Sequence, residues 1–293
     1  MDYRIQDNGI DADSFEAIAQ LAYRESGLQL AAEKTSMIQS RLRHRLRALS
    51  IPGFQAYSAF VCSEEGRDER RHMISALTTN VSHFFREKHH FETLKGVIEK
   101  RLLPRLKTGG RVRIWSAGCS NGQEAFSIAL TLLETAPELG DMDIRILATD
   151  IDAKVIEFAK SASYPERLIS GVPEGLLHKY FIRRTDEDEM CFQANEKLRN
   201  LVRFNELNLL AKWPLRHGMD VIFCRNVVIY FDVETQNRLW PRFHQVLNPD
   251  GYLFLGHSER IGDPQSMGFM TDGPTTYRPL QAHGNKLSKP GED

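Results

Sequence analysis

Apolar positions along this chain repeat with two different periods, and the change falls near Arg111. Upstream they recur every three to four residues, the spacing of a helix with one buried face. Phe15, Ile18, Leu21 and Ala22 share a face behind Ser14, and Gly27 ends that segment. A second helix is predicted over 33–49, with Met37, Ile38, Leu42, Leu46 and Leu49 inward. Ile51-Pro52-Gly53 breaks the chain. Phe54, Tyr57, Phe60 and Val61 mark a third helix, and Met73, Ile74 and Leu77 a fourth. A fifth pattern (Phe91, Leu94, Val97, Ile98, Leu102) is expected to stop before Pro104. Downstream, strands are predicted at 111–116, 144–149, 201–204, 219–224 and 251–255. Helical segments at 124–135, 152–162 and 233–246 lie between or after them. Such alternation implies a parallel sheet with helices on both faces.

Residues 163–200 interrupt the alternation with Pro165, Gly171, Pro173, the acids 186–189 and short alternating pieces. They read as a small inserted subdomain, an antiparallel meander. The expected organisation is therefore a helical domain over 1–95 and an α/β domain over 96–280, with the insert at 163–200. The polar residues 281–293 read as a disordered tail.

Composition narrows the class. No run of eighteen or more apolar residues exists, so no membrane span is expected. The N-terminus lacks a basic start followed by an apolar core, so no secretion signal is expected. The four cysteines lie far apart with no CxxC spacing, which points to a reducing cytoplasm and no metal site. A net charge of −1 argues against a general polyanion binder.

The chemistry is concentrated in four segments that follow strands. Trp115-Ser-Ala-Gly118-Cys-Ser-Asn-Gly122-Gln-Glu124 is a strand, a small-residue turn and a helix start. Glycine lets a ligand approach the backbone there. Asp150, at the end of the second strand, can accept both hydroxyls of a ribose. Asn208 and Leu209 follow the third strand and suit the edge and face of an adenine. Arg225 and Asn226 follow the fourth. Ligands of open α/β sheets bind at these carboxyl ends. The turn has neither the Lys-Ser/Thr ending of a P-loop nor a full GxGxxG. Glu124 would repel a pyrophosphate but suits an ammonium group, so S-adenosylmethionine is favoured over NAD or a triphosphate. Plainer roles stay open: Gly118 and Gly122 could serve strand–helix packing alone, and Asp150 could cap the helix that follows.

Several segments together resemble the CheR family of chemotaxis receptor methyltransferases. They are Thr78-Thr-Asn80-Val-Ser82-His-Phe84-Phe85-Arg86, the 115–124 turn, Ala148-Thr-Asp-Ile-Asp152, Cys224-Arg-Asn-Val-Val-Ile-Tyr230-Phe231 and Gly256-His-Ser-Glu259. The resemblance spans about residues 14–278. It implies a class I S-adenosylmethionine-dependent methyltransferase fold (Rossmann-like) with an N-terminal all-helical domain. The implied reaction forms methyl esters on glutamates of a chemoreceptor's cytoplasmic coiled coil, releasing S-adenosylhomocysteine. Carried onto this sequence, it places Asn80, Ser82 and Arg86 over the cofactor and Glu124 on its amine. Asp150 is implied on the ribose, with Asn208, Leu209, Arg225 and Asn226 around the two ends of the molecule. Tyr230 and Arg86 are implied near the methyl group. Tyr230 could instead be a core aromatic. Phe84 and Phe85 read as core packing between domains, and His257 and Glu259 as structural. A glutamate is already ionised at neutral pH, its ordinary pKa being about 4.3, so no general base is expected.

Helix 33–49 carries Arg41, Arg43, Arg45 and Arg47, and no acid occurs between Lys34 and Ser63. The pairs Arg41/Arg45 and Arg43/Arg47 are four apart, so a broad basic face is predicted, either a docking surface for glutamate-rich receptor helices or a solvated face. Some members of the family bind a receptor's C-terminal peptide through a glycine-containing turn in the insert. Residues 183–189 hold no glycine, so a tether-independent monomer is expected. Two rivals remain. One is a methyltransferase of RNA or small molecules, against which the absence of an Asn-Pro-Pro-Tyr motif counts. The other is a non-catalytic adaptor that binds the cofactor.

Overall fold

The computed structural model describes residues 9–186, 189–215 and 218–280. The expected tail at 281–293 lies outside the described residues, as do positions 187 and 188 of the glycine-free turn.

Four helices pack into the first core: α1 (Ala12–Ser26), α2 (Thr35–Ala48), α3 (Phe54–Cys62) and α4 (Arg67–Leu77). The Asp11 carboxylate accepts the Ser14 N–H at 2.8 Å and starts α1. Gly27 ends it in the left-handed region, φ +72°, close against Leu210 and Phe231 of the other lobe. Ile18, Leu21, Ile38, Leu42, Tyr57 and Met73 fill this core. Met37 and Leu49, expected inward, are 36% and 37% exposed. Met37 flanks the buried stripe Ile38, Leu42 and Leu46, and Leu49 is already past the last helical turn.

The fifth segment runs past Pro104. It is built from α5 (Lys88–Val97), a wider π-type turn (Ile98–Leu102) and α6 (Leu103–Lys107). Pro104 follows the π-type turn inside this continuous run and does not end it. Phe91, Leu94, Val97 and Ile98 join the core of the sheet, not the helical core. A boundary at residue 95 therefore cuts one continuous helical segment, and the change of core falls between Leu77 and Phe84.

The second lobe alternates as expected: β1 (Val112–Ala117), α7 (Gln123–Thr135), β2 (Ile144–Asp150) and α8 (Ala153–Ser161). An inserted part follows, with β3 (Ser163–Pro165), α9 (Glu166–Ile169), α10 (Glu174–Tyr180), β4 (Phe181–Asp186), β5 (Glu189–Ala194) and α11 (Glu196–Leu201). The chain then returns through β6 (Val202–Glu206), β7 (Met219–Cys224), α12 (Val233–Val246), β8 (Leu247–Leu255), β9 (Phe269–Gly273) and β10 (Thr276–Pro279). Among the described residues seven strands form the main sheet, in the order β6-β2-β1-β7-β8-β10-β9. The pairs from β6 to β8 are parallel, and β10 pairs antiparallel with β8 and β9. The chain moves outward from β1 to β2 and β6, then jumps back to place β7 beside β1. That reversal opens a crevice beyond the carboxyl ends of β1 and β7.

The insert pairs β3-β5-β4, so only β4 and β5 form a hairpin and the predicted meander is not followed. β9 and β10 have no counterpart in the sequence reading. They are short, and β9 is exposed at three of its five positions, so no apolar alternation announces them.

Candidate cofactor and active site

A cleft enclosing roughly 1000 Å³, counting its open mouth, lies over the crevice between the two lobes. The α/β lobe contributes Gly118, Ser120, Glu124, Asp150, Leu207, Asn208, Leu209, Arg225, Asn226 and Tyr230 to its walls. Ser26 at the end of α1, Leu28 just beyond it and the segment 78–83 after α4 close the other side. Every residue expected at the cofactor lines this one cleft, although the four segments are far apart in sequence.

The turn after β1 turns sharply at Gly118, φ +88°, and at Gly122, φ +83°. A Cβ on Gly118 would stand 2.2 Å from Val227 Cγ2, so the loops after β1 and β7 touch only because residue 118 is glycine. Gly122 caps α7 against Ala159 and Tyr164, which is a packing role. The Asp150 carboxylate accepts the Ser120 N–H at 2.8 Å and the Asp152 N–H at 3.1 Å. Burial raises its pKa. Asp152, not Asp150, caps α8, accepting the Lys154 N–H at 2.9 Å. That leaves Asp150 facing the cleft with lone pairs to spare. Asp152 also accepts from Ser75 Oγ at 2.7 Å and from Asn80 Nδ2 at 2.8 Å. Asn80 thus fastens the helical lobe to the end of β2.

Glu124 and Arg225 form a buried pair at 3.1 Å, and Ser116 Oγ donates to the other Glu124 oxygen at 2.7 Å. Burial raises the Glu124 pKa, against the opposing pull of Arg225 and Ser116. The Arg225 side chain is 2% exposed; it also donates to the Arg86 carbonyl and lies 3.4 Å from Glu87. Glu87 is a member of this group that sequence reasoning missed, because its partners are far along the chain. Glu87, His89 and His90 bring one donor atom each within 4.8 Å of one another. Arg225 stands 3.4 Å from Glu87, so that carboxylate already faces a cation.

Two expectations change. Asn208 lines the cleft, but its amide donates to the Glu25 carbonyl at 2.7 Å and its oxygen accepts the Leu210 N–H at 2.9 Å. Its side chain therefore also joins the lobes. Arg45 is not on an exterior face. Its guanidinium makes a two-pronged contact with Glu69 at 2.8 and 2.6 Å, buried between α2 and α4, with the Tyr57 hydroxyl donating to the same carboxylate at 2.9 Å. Arg41 donates to the carbonyls of Leu77 and Thr78 at 2.8 and 2.9 Å, pinning the start of the inter-lobe segment. Arg43 is half-buried and Arg47 exposed, so the broad basic face is split.

Tyr230 is half-buried against the helical core, and its carbonyl accepts the Gln29 N–H at 3.0 Å. Phe84 is buried in the sheet core, edge-on to Tyr164 and Phe181. Ser82 lines the cleft, and its carbonyl accepts from Gln123 at 3.3 Å.

The walls fit an adenosyl amino acid. Leu28, Ile151, Leu207, Leu209 and Phe231 supply apolar surface, while Asp150 and Glu124 supply acceptors for hydroxyls and a cation.

Residues 80–275 match the family model described as CheR methyltransferase, SAM binding domain, and residues 13–78 match CheR methyltransferase, all-alpha domain. The chain is 44% identical over 258 residues to a probable chemotaxis protein methyltransferase of Rhizobium etli, covering 88% of this chain and 96% of that protein. It is 40% identical over 266 residues to the chemotaxis protein methyltransferase of Escherichia coli, covering 90% and 89%. It is 39% identical over 270 residues to chemotaxis protein methyltransferase 2 of Pseudomonas aeruginosa, covering 91% and 93%. Fold, cleft and matches define a methyltransferase whose cofactor is S-adenosylmethionine. The chain belongs to the CheR methyltransferase family.

Proposed function

We propose that the protein is a protein-glutamate O-methyltransferase that esterifies glutamates on the cytoplasmic coiled coil of chemoreceptors, for sensory adaptation. It acts in the cytoplasm as a monomer. No described helix is long and apolar enough to cross a membrane. The observation that carries the reading is Arg86. It lines the cleft half-buried and, among the described residues, donates only to the Val81 carbonyl, at 3.1 Å. The rest of its planar fork can hold an incoming carboxylate in a fixed orientation.

When bound, the cofactor supplies an electrophilic methyl carbon on a sulfonium sulfur. A substrate carboxylate, ionised at neutral pH, needs no proton removed. The protein's work is alignment, with Arg86 orienting the carboxylate and Tyr230 positioning it at an approach of about 3–3.5 Å. Charge disappears as the ester forms, so the apolar walls assist by stripping water from the anion. Glu124 holds the amine and Asp150 the ribose, each as an acceptor. Exposed Arg47, with Arg43 beside it, supplies docking charge for an acidic receptor helix.

The test supplies methyl-labelled cofactor and receptor cytoplasmic fragments and measures methanol released by alkali. Labelled methanol is expected, with loss of turnover in Arg86→Ala and Tyr230→Phe. Cofactor binding without base-labile methyl would make the protein an adaptor. Unchanged kcat and KM in both variants would remove Arg86 and Tyr230 from the mechanism.

A further inference from the structure

The turn Gly256-His257-Ser258-Glu259 follows β8, and none of its residues is among those lining the cleft. Yet the Glu259 side chain, 2% exposed, accepts four backbone N–H groups. One oxygen takes those of Gly256 and Asn226, at 2.6 and 2.7 Å. The other takes those of Val227 and Ile229, at 2.8 and 3.3 Å. Three of the four donors belong to the irregular loop 225–230, whose N–H groups need a partner once buried. Asn226 sits there at φ +59°, in a region a side chain rarely adopts unaided. Only an ionised carboxylate presents acceptors on both atoms. Gly256 is part of the fit, since a Cβ there would stand 2.7 Å from Glu259 Oε2 and 2.8 Å from Asn226 N.

The same turn reaches the other side of the cleft. The His257 N–H donates to Glu87 Oε1 at 3.2 Å, and the His257 ring nitrogen Nδ1 lies 3.1 Å from that oxygen. Glu87 follows Arg86 directly and is itself left-handed, φ +59°. One short turn therefore grips the segment that carries Arg86 and the loop that carries Arg225, Asn226 and Tyr230.

We propose that the turn 256–259 is a brace setting the separation of Arg86 and Tyr230 across the cleft, with Glu259 as a positioning residue for methyl transfer. This rests on the roles given above to Arg86 and Tyr230. Glu259 acts through the loop backbone and touches no reacting group. Glu259→Gln keeps size and shape but turns an NH2 group toward two N–H donors.

The experiment compares wild type, Glu259→Gln and Glu259→Asp. Sites are counted by S-adenosylhomocysteine titration, so that turnover is expressed per competent site. The affinity for S-adenosylhomocysteine and the hydrogen exchange of the Asn226, Val227 and Ile229 amides are read on the same samples. The brace predicts a loss of about tenfold or more in both per-site kcat and affinity for Glu259→Gln, with faster exchange confined to that loop. A residue important only for stability would lower the melting temperature and leave per-site kcat and affinity unchanged, and that result overturns the proposal. Should Glu259→Gln fail to fold, Glu259→Asp decides: the brace predicts a partial loss in both quantities, and wild-type values refute it. If wild type esterifies no receptor glutamate, the functional reading fails, while the affinity and exchange data still test the brace.

Discussion

Arg225 and Glu124 stand 3.1 Å apart in the wall of the cleft, the arginine almost wholly withdrawn from water. The carboxylate must be ionised to hold an ammonium group, and burial raises its pKa above the ordinary glutamate range. The sign follows directly: acidification protonates Glu124 earlier than a free glutamate, and affinity for the cofactor falls with it. Calorimetry with S-adenosylhomocysteine over a pH series should show that fall beginning above the usual carboxyl range. Glu124→Gln should weaken binding about tenfold to a hundredfold, the worth of a hydrogen bond to a charged group, and flatten the pH dependence.

Gly118→Ala should lose cofactor affinity by about tenfold or more while the protein stays folded. It suffers twice, from φ +88° and from the 2.2 Å approach to Val227 Cγ2. Val227→Ala in the same chain removes the second conflict and should restore part of the affinity. No recovery in the double variant would mean that backbone strain alone matters.

Glu69→Ala should destabilise the protein by about 3–5 kcal/mol in urea unfolding, because it leaves Arg45 charged and buried. Affinity for the cofactor should be unchanged in the folded fraction. Arg47→Glu should do the reverse, with unchanged stability and a raised KM for receptor fragments that loses its difference from wild type at high salt.

His90 is fully buried, with Nε2 2.9 Å from Thr275 Oγ1. Its pKa is pushed down to about 3 from 6.5, chiefly by burial, then by Arg225 and His89, with Glu87 opposing. The ring is therefore neutral at working pH, and its Nδ1 contact with Glu87 at 3.6 Å is not an ion pair. The unfolded chain takes up this proton near 6.5 and the folded one only near 3, so stability is full above that window and declines as pH falls through it. By pH 4.5 the loss is on the order of 3 kcal/mol. Denaturation at stepped pH should show His90→Gln with a shallower slope between 6.5 and 4.5 than wild type.

Much of the cofactor site was legible because it is written in local chemistry. The 115–124 turn, the acid ending β2 and the loop after β7 each follow a strand, and all parallel strands deliver their ends to one edge. The last two strands were not legible: β9 is exposed at three of its five positions, and β10 is only four residues long, too short to show a period. Nor were Glu87 and the engaged amide of Asn208, whose partners Arg225 and Glu25 lie 138 and 183 residues away.

The sequence by itself determined the helical first lobe, the alternating second lobe and the residues gathered at the cleft. Apolar period and turn residues act within a few positions of themselves, so they can be read one segment at a time. Tertiary structure alone decided which charges face water. Arg45 and Arg47 sit two positions apart on one helix, and the first is buried only because Glu69 of α4 is there to receive it. Tertiary structure likewise decided that Asp152 caps α8 while Asp150 faces the cleft, through Ser75 and Asn80 arriving from the other lobe. A side chain's charge belongs to its own residue, but the partner that offsets the cost of burying it is fixed only when distant segments meet.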